Sequence, residues 1–373
     1  MADSDGEMRK PNEIDFWRGF ALVTIFVNHV PGLWFERFTF RNVSLSDSAE
    51  LFVLLAGWSL RLLVDSQSAN LTNWRLALRL GGRAVTIYAA QILITMLALA
   101  LIAAASILFD APVVLDWHNA GPVFVNPVET HVGLVLLTHQ LGYFNILPLY
   151  VVLMSGAPLI GLVYRAAPRA LLPLSLAVYF AAVVSGVNFH TWPTEGRWFL
   201  NPLAWQLIFV LGFELGGRDG VAGWAGRHRV ALRFAAAPVV LAGAAAALTH
   251  WSPDPIDVPD PKLLFMFDKT FLSPARVLHC LALVATFAGL YHGLARILPR
   301  IAGYLAMLGR NSLNVFCVGS VLSLMGQLAR FLFGGSLGVD SLVLLFGLSI
   351  MGFTAWVSEW RARSHAPSSS AAD

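Results

Sequence analysis

The chain is short of charge and nearly without cysteine. Only 13% of its 373 residues are Asp, Glu, Lys or Arg, where a soluble domain carries roughly 25%. With 57% of residues hydrophobic, the deficit excludes an ordinary soluble globular protein. The two cysteines, Cys280 and Cys317, stand in separate apolar stretches. No disulfide framework and no metal-ligand spacing are visible, so no metal is expected. No clear small-residue cleavage site accompanies the first apolar run, which is too long for a signal core. It reads as an uncleaved span. No internal repeat is visible. The basic balance, a net charge of +3, reflects Lys and Arg in cytoplasmic loops and gives no reason to expect nucleic acid.

What is present is a series of long apolar runs. A membrane span needs about 20 mostly apolar residues, and the expected spans are 16–35, 49–64, 84–109, 141–163, 171–187, 202–215, 232–248, 274–294, 312–333 and 339–356. The fold class is therefore all-α, a polytopic membrane protein of about ten helices. With the N-terminus inside, most of the 25 Lys and Arg residues fall in inside segments, so both termini are expected in the cytoplasm. Residues 1–14 read as a cytoplasmic N-terminal segment, 15–360 as one transmembrane domain, and 361–373 as a disordered tail.

Chemistry-bearing residues stand out against this background. Arg18 and His29 are eleven positions apart in RGFALVTIFVNH, close to three helical turns, so they share a face about 16 Å apart. Ionisable residues inside a membrane are costly and mark functional sites, although a histidine satisfied by a carbonyl within the bundle is the plainer alternative. Asp47 and Glu50 open the second span. They either orient His29 and support its charged form or cap the helix, and the two roles are compatible. Arg75, Arg79 and Arg83 form an i, i+4, i+8 stripe suited to phosphate oxygens or to anchoring the inner face. Arg310 is a further candidate for that patch.

The outer loops carry aromatic and amide side chains. Segment 110–140 has no Lys or Arg, and 185–205 holds Asn188, His190, Trp192, Trp198, Asn201 and Trp205, with Gln206 following. Read as an interfacial belt, the tryptophans are anchors. Read with the amides, Trp192, Trp198, Trp205, His190, Asn201 and Gln206 form a platform for sugar rings.

The opening EIDFWRGFALVTIFVNH resembles the acyltransferase-3 superfamily, in which an Arg, ten residues and a His mark the first helix. DSAELFVLLAGWSL, YFNILPLYVVLM, FLNPLAWQLIFVLGF and LGRNSLNVFCVGSVLS resemble, in the same order, blocks of the OpgC family, succinyltransferases of osmoregulated periplasmic glucans. The resemblance implies a cytosolic acyl-CoA donor, succinyl-CoA by the family name, a periplasmic glucan acceptor, and residence in the bacterial inner membrane. It implies no permanently bound cofactor, and a homo-oligomer is compatible with it. By the same resemblance His29 is catalytic, Arg18 belongs to its motif, and Asn28 matches the surroundings and is a candidate to hold the oxyanion. His29 then acts as general base or as a transient acyl carrier. A transporter or flippase of a polar or lipid-linked glycan is the alternative, as is a non-catalytic partner of a glycan enzyme, but the inverted repeats common in transporters are not visible.

Overall fold

A computed structural model describes residues 11–68 and 71–364. Most of the expected N-terminal segment (1–10) and most of the expected tail (365–373) lie outside the described residues. Within them there is no strand, and the pairing of His190 with Arg197 is an isolated bridge. The helices are, in chain order, α1 (Glu13–Asn28), α2 (Ser48–Ser68), α3 (Asn73–Leu108), α4 (Gly121–Val125), α5 (Pro127–Val135), α6 (Ile146–Ala166), α7 (Leu171–Ser185), α8 (Pro202–Leu215), α9 (Gly220–Arg227), α10 (Arg229–Thr249), α11 (Pro274–Phe287), α12 (Leu290–Ile297), α13 (Pro299–Arg310), α14 (Ser312–Phe333) and α15 (Leu337–Ser364). Short 3₁₀ turns join some of them.

Six helical segments are long and apolar enough to cross a membrane: α3, α6, α7 with the turn before it, α10, α14 and α15. Counting α11 and α12 as one broken span gives a seventh. Several expected boundaries shift for local reasons. The first run does not continue to Phe35. It stops at Asn28, because Pro31 lacks an N–H and Gly32 takes a left-handed φ of 76°, a conformation that glycine adopts without steric cost. The run 274–294 breaks at Gly289, again left-handed. Helix α3 begins eleven residues before the expected 84. Its 36 residues make a rod of about 54 Å, well beyond the ~30 Å hydrocarbon thickness.

The described residues fall into two compact units. One combines residues 11–39 with 287–364. In it α1 starts from a capping box: Asn12 Oδ1 accepts the Asp15 N–H at 2.9 Å and Asp15 Oδ2 accepts the Asn12 N–H at 3.2 Å. Helix α1 then crosses α13 backbone to backbone. A Cβ added at Gly19 would lie 1.8 Å from the Leu305 carbonyl oxygen, and one at Gly309 would lie 1.8 Å from that of Asp15. Small residues that let helix backbones touch are the usual solution where no hydrophobic force separates helix from lipid. Helix α15 meets α1 through a side chain instead, Gly347 making room for the Phe26 ring.

The other unit spans residues 40–286 and repeats the device. A Cβ on Gly57 of α2 would sit 1.8 Å from the Phe209 carbonyl oxygen, and one on Gly212 of α8 would sit 1.9 Å from that of Leu54. Helix α3 packs on α6 through buried Leu76, Leu80 and Ala84, with Gly161 of α6 meeting both leucines. Arg165 fixes the start of α3 by donating to the Leu71 carbonyl at 3.1 Å and to Asn73 Oδ1 at 2.8 Å.

A branched side chain at a backbone contact forces the helices apart, whereas the same change at an open glycine does not. Gly309→Val should therefore cost at least about 1–3 kcal/mol and lower the thermal midpoint of the purified protein. Gly303→Ala, on the same helix with nothing within 4 Å, should leave it unchanged or raise it. Equal midpoints for the two variants would refute the close crossing.

Candidate active site

His29 is the residue at which α1 ends. Its N–H still donates to the Ile25 carbonyl at 2.9 Å, but its backbone (φ −88°, ψ 5°) has left the helix. The imidazole thus stands at the last turn of a 16-residue helix and not within a continuous span, and the residue is half-buried with its Nδ1 covered. Arg18 is half-buried on the same helix. Asn28 is buried, and its Oδ1 lies 2.8 Å from the Thr39 hydroxyl. The last carbonyls of α1 are met from α14, where the Gln327 amide donates to the His29 carbonyl at 2.6 Å and the Ser323 hydroxyl lies 3.2 Å from that of Phe26.

Asp47 and Glu50 realise the capping alternative. Asp47 Oδ1 accepts the Ala49 N–H at 2.8 Å, and Glu50 Oε2 accepts the Asp47 N–H at 3.0 Å. Their remaining oxygens are also occupied. Lys269 Nζ lies 2.5 Å from Asp47 Oδ2, and the Arg276 guanidinium holds Glu50 Oε1 at 2.5–2.7 Å. Glu50 is wholly buried and Arg276 nearly so. Burial alone would raise the Asp47 carboxyl, but Lys269, the Glu50 hydrogen bond and Arg276 outweigh it and hold Asp47 well below the usual carboxylate range. The capping alternative is thus realised, and within their unit the two carboxylates form one charge network with Lys269 and Arg276.

That network rests on the segment from Asp268 to Ser273, and the residues expected to form the sugar platform hold this segment in place. Trp205 is fully buried and its indole N–H donates to the Lys269 carbonyl at 3.1 Å. Asn201, also fully buried, caps α8 by accepting the Leu203 N–H, and donates to the Val187 carbonyl at 2.8 Å. Its N–H donates to the Thr270 carbonyl at 3.0 Å. The Tyr179 hydroxyl donates to the Leu272 carbonyl at 2.8 Å. Gln206 is tied to Ser175 through both ends of its amide, and Trp198 is only 4% exposed. The faces of Trp198, Asn201 and Trp205 are covered by protein, and Gln206 is half-buried. Of the expected platform only Trp192 and His190 are exposed.

The loops around Trp192 are locked by His139. Its Nε2 lies 2.9 Å from the Asn119 carbonyl oxygen, which can only accept, so the proton is on Nε2. Nδ1 then accepts from the Thr194 hydroxyl at 3.0 Å. Burial pushes the His139 pKa down, only partly countered by the Asn119 bond, and so favours this neutral form.

The arginine stripe forms as expected. Arg75 and Arg79 are exposed and Arg83 half-buried, each one residue before the buried Leu76, Leu80 and Ala84 and hence about 100° around the helix from them. Arg310 does not share their situation. Its guanidinium is bound to Glu359 Oε1 at 2.7 and 2.9 Å. Lys269, Arg276 and Gln327 are the residues that sequence reasoning missed. Local pattern carried no signal for the first two beyond their charge, and Gln327 was marked only by being an amide in an apolar helix.

Removing one member of a buried ion pair leaves the other charge uncompensated. Arg276→Met should cost about 3–5 kcal/mol, and adding Glu50→Gln should recover most of that loss. A single-variant loss below about 1 kcal/mol in denaturation of the purified protein would contradict the burial. The Asp47 contribution has a definite sign. Its folded pKa is depressed, so the stabilisation is present above the ordinary value of 3.8 and is lost as pH falls below it. Lys269→Met removes the main cause of the depression and should move the onset of acid unfolding to higher pH.

The family model described as OpgC protein matches residues 9–363. No curated protein and no solved structure matches the chain. The matched stretch takes in the whole of α1 with Arg18 and His29, both units and all but the last helical residue, and so the chain belongs to the OpgC family of glucan-modifying acyltransferases.

Proposed function

We propose that the protein moves a succinyl group from cytosolic succinyl-CoA to a hydroxyl of a periplasmic glucan, across the bacterial inner membrane. The observation that carries this reading is an Arg–His pair eleven residues apart on the first helix, with the imidazole at the point where that helix ends, in a chain of this family. In this reading both termini are cytoplasmic, and α1, α2 and α8 cross the membrane beside the longer apolar helices, giving about ten spans.

The reading solves a geometric problem. The donor exists only inside and the acceptor only outside, so thioester and hydroxyl meet at a residue set within the bilayer. His29 takes the proton of the glucan hydroxyl as general base. The hydroxyl oxygen attacks the thioester carbonyl, a C–O bond forms, and the C–S bond breaks. The proton passes from His29 to the departing CoA sulfur. Asn28 and Arg18 lie on the same helix and are the proposed supports for the charge that develops. The nucleotide phosphates of the donor rest against Arg75, Arg79 and Arg83, whose planar guanidinium groups match phosphate geometry. Trp192 and His190 receive the glucan. Asp47 and Glu50 take no step, because their charges are already balanced by Lys269 and Arg276.

Two measurements test the proposal. His29→Ala should abolish succinyl incorporation into neutral glucan, read by product mass, with expression and thermal midpoint unchanged. Wild-type incorporation would end the proposal. Arg79→Ala with Arg83→Ala should raise the KM for succinyl-CoA at least about tenfold, as expected for the loss of charge-assisted hydrogen bonds. An unchanged KM would remove the phosphate role.

A further inference from the structure

The place where α1 stops is held by a polar ladder on α14. Ser323, Gln327 and Arg330 stand at i, i+4 and i+7 and so project from one side of α14. They track the chain as it leaves α1. The Ser323 hydroxyl lies 3.2 Å from the Phe26 carbonyl oxygen, while it also back-bonds to Gly319 at 2.9 Å. The Gln327 amide donates to the His29 carbonyl at 2.6 Å. The Arg330 guanidinium lies against Gly32, where an added Cβ would be 3.2 Å from Nη2, and it ion-pairs with the buried Asp340 of α15. The other oxygen of Asp340 accepts the Trp34 N–H at 2.7 Å. Two points of the turn, at residues 29 and 34, are thereby hydrogen-bonded to α14 and α15, with Arg330 close to Gly32 between them.

The physical need is clear. A helix end leaves carbonyls without intrahelical donors, and in apolar surroundings each unmet group costs several kcal/mol. Of the ladder's hydrogen bonds to backbone carbonyls the Gln327 bond is the shortest, and it falls on the backbone of the residue proposed to be the base. Loss of that bond leaves the helix formed but releases the peptide that carries the imidazole. Proton transfer in the transition state depends steeply on such placement.

We infer that Gln327, seconded by the Arg330–Asp340 pair, is a positioning residue for acyl transfer: it fixes the backbone of His29 and through it the direction of the imidazole. The inference rests on the proposed role of His29. Gln327→Met keeps length and volume but cannot donate. With purified protein, succinyl-CoA and neutral glucan, Gln327→Met should lower kcat about tenfold or more and leave the KM for succinyl-CoA unchanged. Gln327→Asn, which retains a donor one methylene shorter, should restore part of the loss, and it serves as the test variant should the Met variant fail to accumulate. A purely structural role would lower yield and thermal midpoint without this kcat-to-KM split and without rescue. An unchanged kcat in Gln327→Met, with His29→Ala inactive, overturns the inference alone. An active His29→Ala overturns the reading beneath it.

Discussion

The backbone groups freed where the first helix stops are buried among other helices, and a buried carbonyl needs a partner. Pro31 and Gly32 end α1 after 16 residues, and the exposed carbonyls then select their neighbours. Ser323 and Gln327 of α14 supply donors, Arg330 presses on the turn, and Asp340 of α15 receives the Trp34 N–H. The chemistry proposed for His29 depends on this ending. A histidine in the middle of a straight helix is held by side-chain packing alone. One at the last turn, with its own carbonyl tied to a neighbouring helix, is held by the backbone and can present its ring beyond the helix barrel.

The closest helix pairs depend on glycine instead of on polar clamps. Gly19 with Gly309, and Gly57 with Gly212, let the backbones of α1 and α13 and of α2 and α8 meet at distances that any Cβ would forbid. Both units use one glycine from each helix of such a pair.

The second unit shows what charge does when buried. Asp47 and Glu50 first close the N-terminus of α2 and then draw in Lys269 and Arg276 from a segment more than two hundred residues away. Each further residue around the Asp268–Ser273 segment has a reason in that arrangement: Trp205, Asn201 and Tyr179 satisfy its carbonyls. A tryptophan and an asparagine near the start of a helix look like a carbohydrate surface when only that stretch of sequence is in view. Trp205 and Asn201 are instead interior hydrogen-bond donors, since a buried carbonyl demands a partner.

Local pattern alone carries the all-helical class, the bounds of α8 and α14, the arginine stripe flanking Leu76 and Leu80, capping as one of two open roles for Asp47 and Glu50, and the family resemblance at Arg18, His29 and the later blocks. Those features follow from periodicity, capping chemistry and apolar length, all readable within a few turns of chain. The stop at Asn28 was also within local reach, in the Pro31–Gly32 pair, but a rule that counts apolar residues passes over it. Only the tertiary structure decided that Asp47 and Glu50 belong to Lys269 and Arg276, that Arg310 belongs to Glu359, that Trp205 and Asn201 face inward, and that Gln327 holds His29. Each of those assignments is a contact between residues far apart in sequence, and which donor meets which acceptor is fixed by how the helices cross, which no stretch of sequence taken alone encodes.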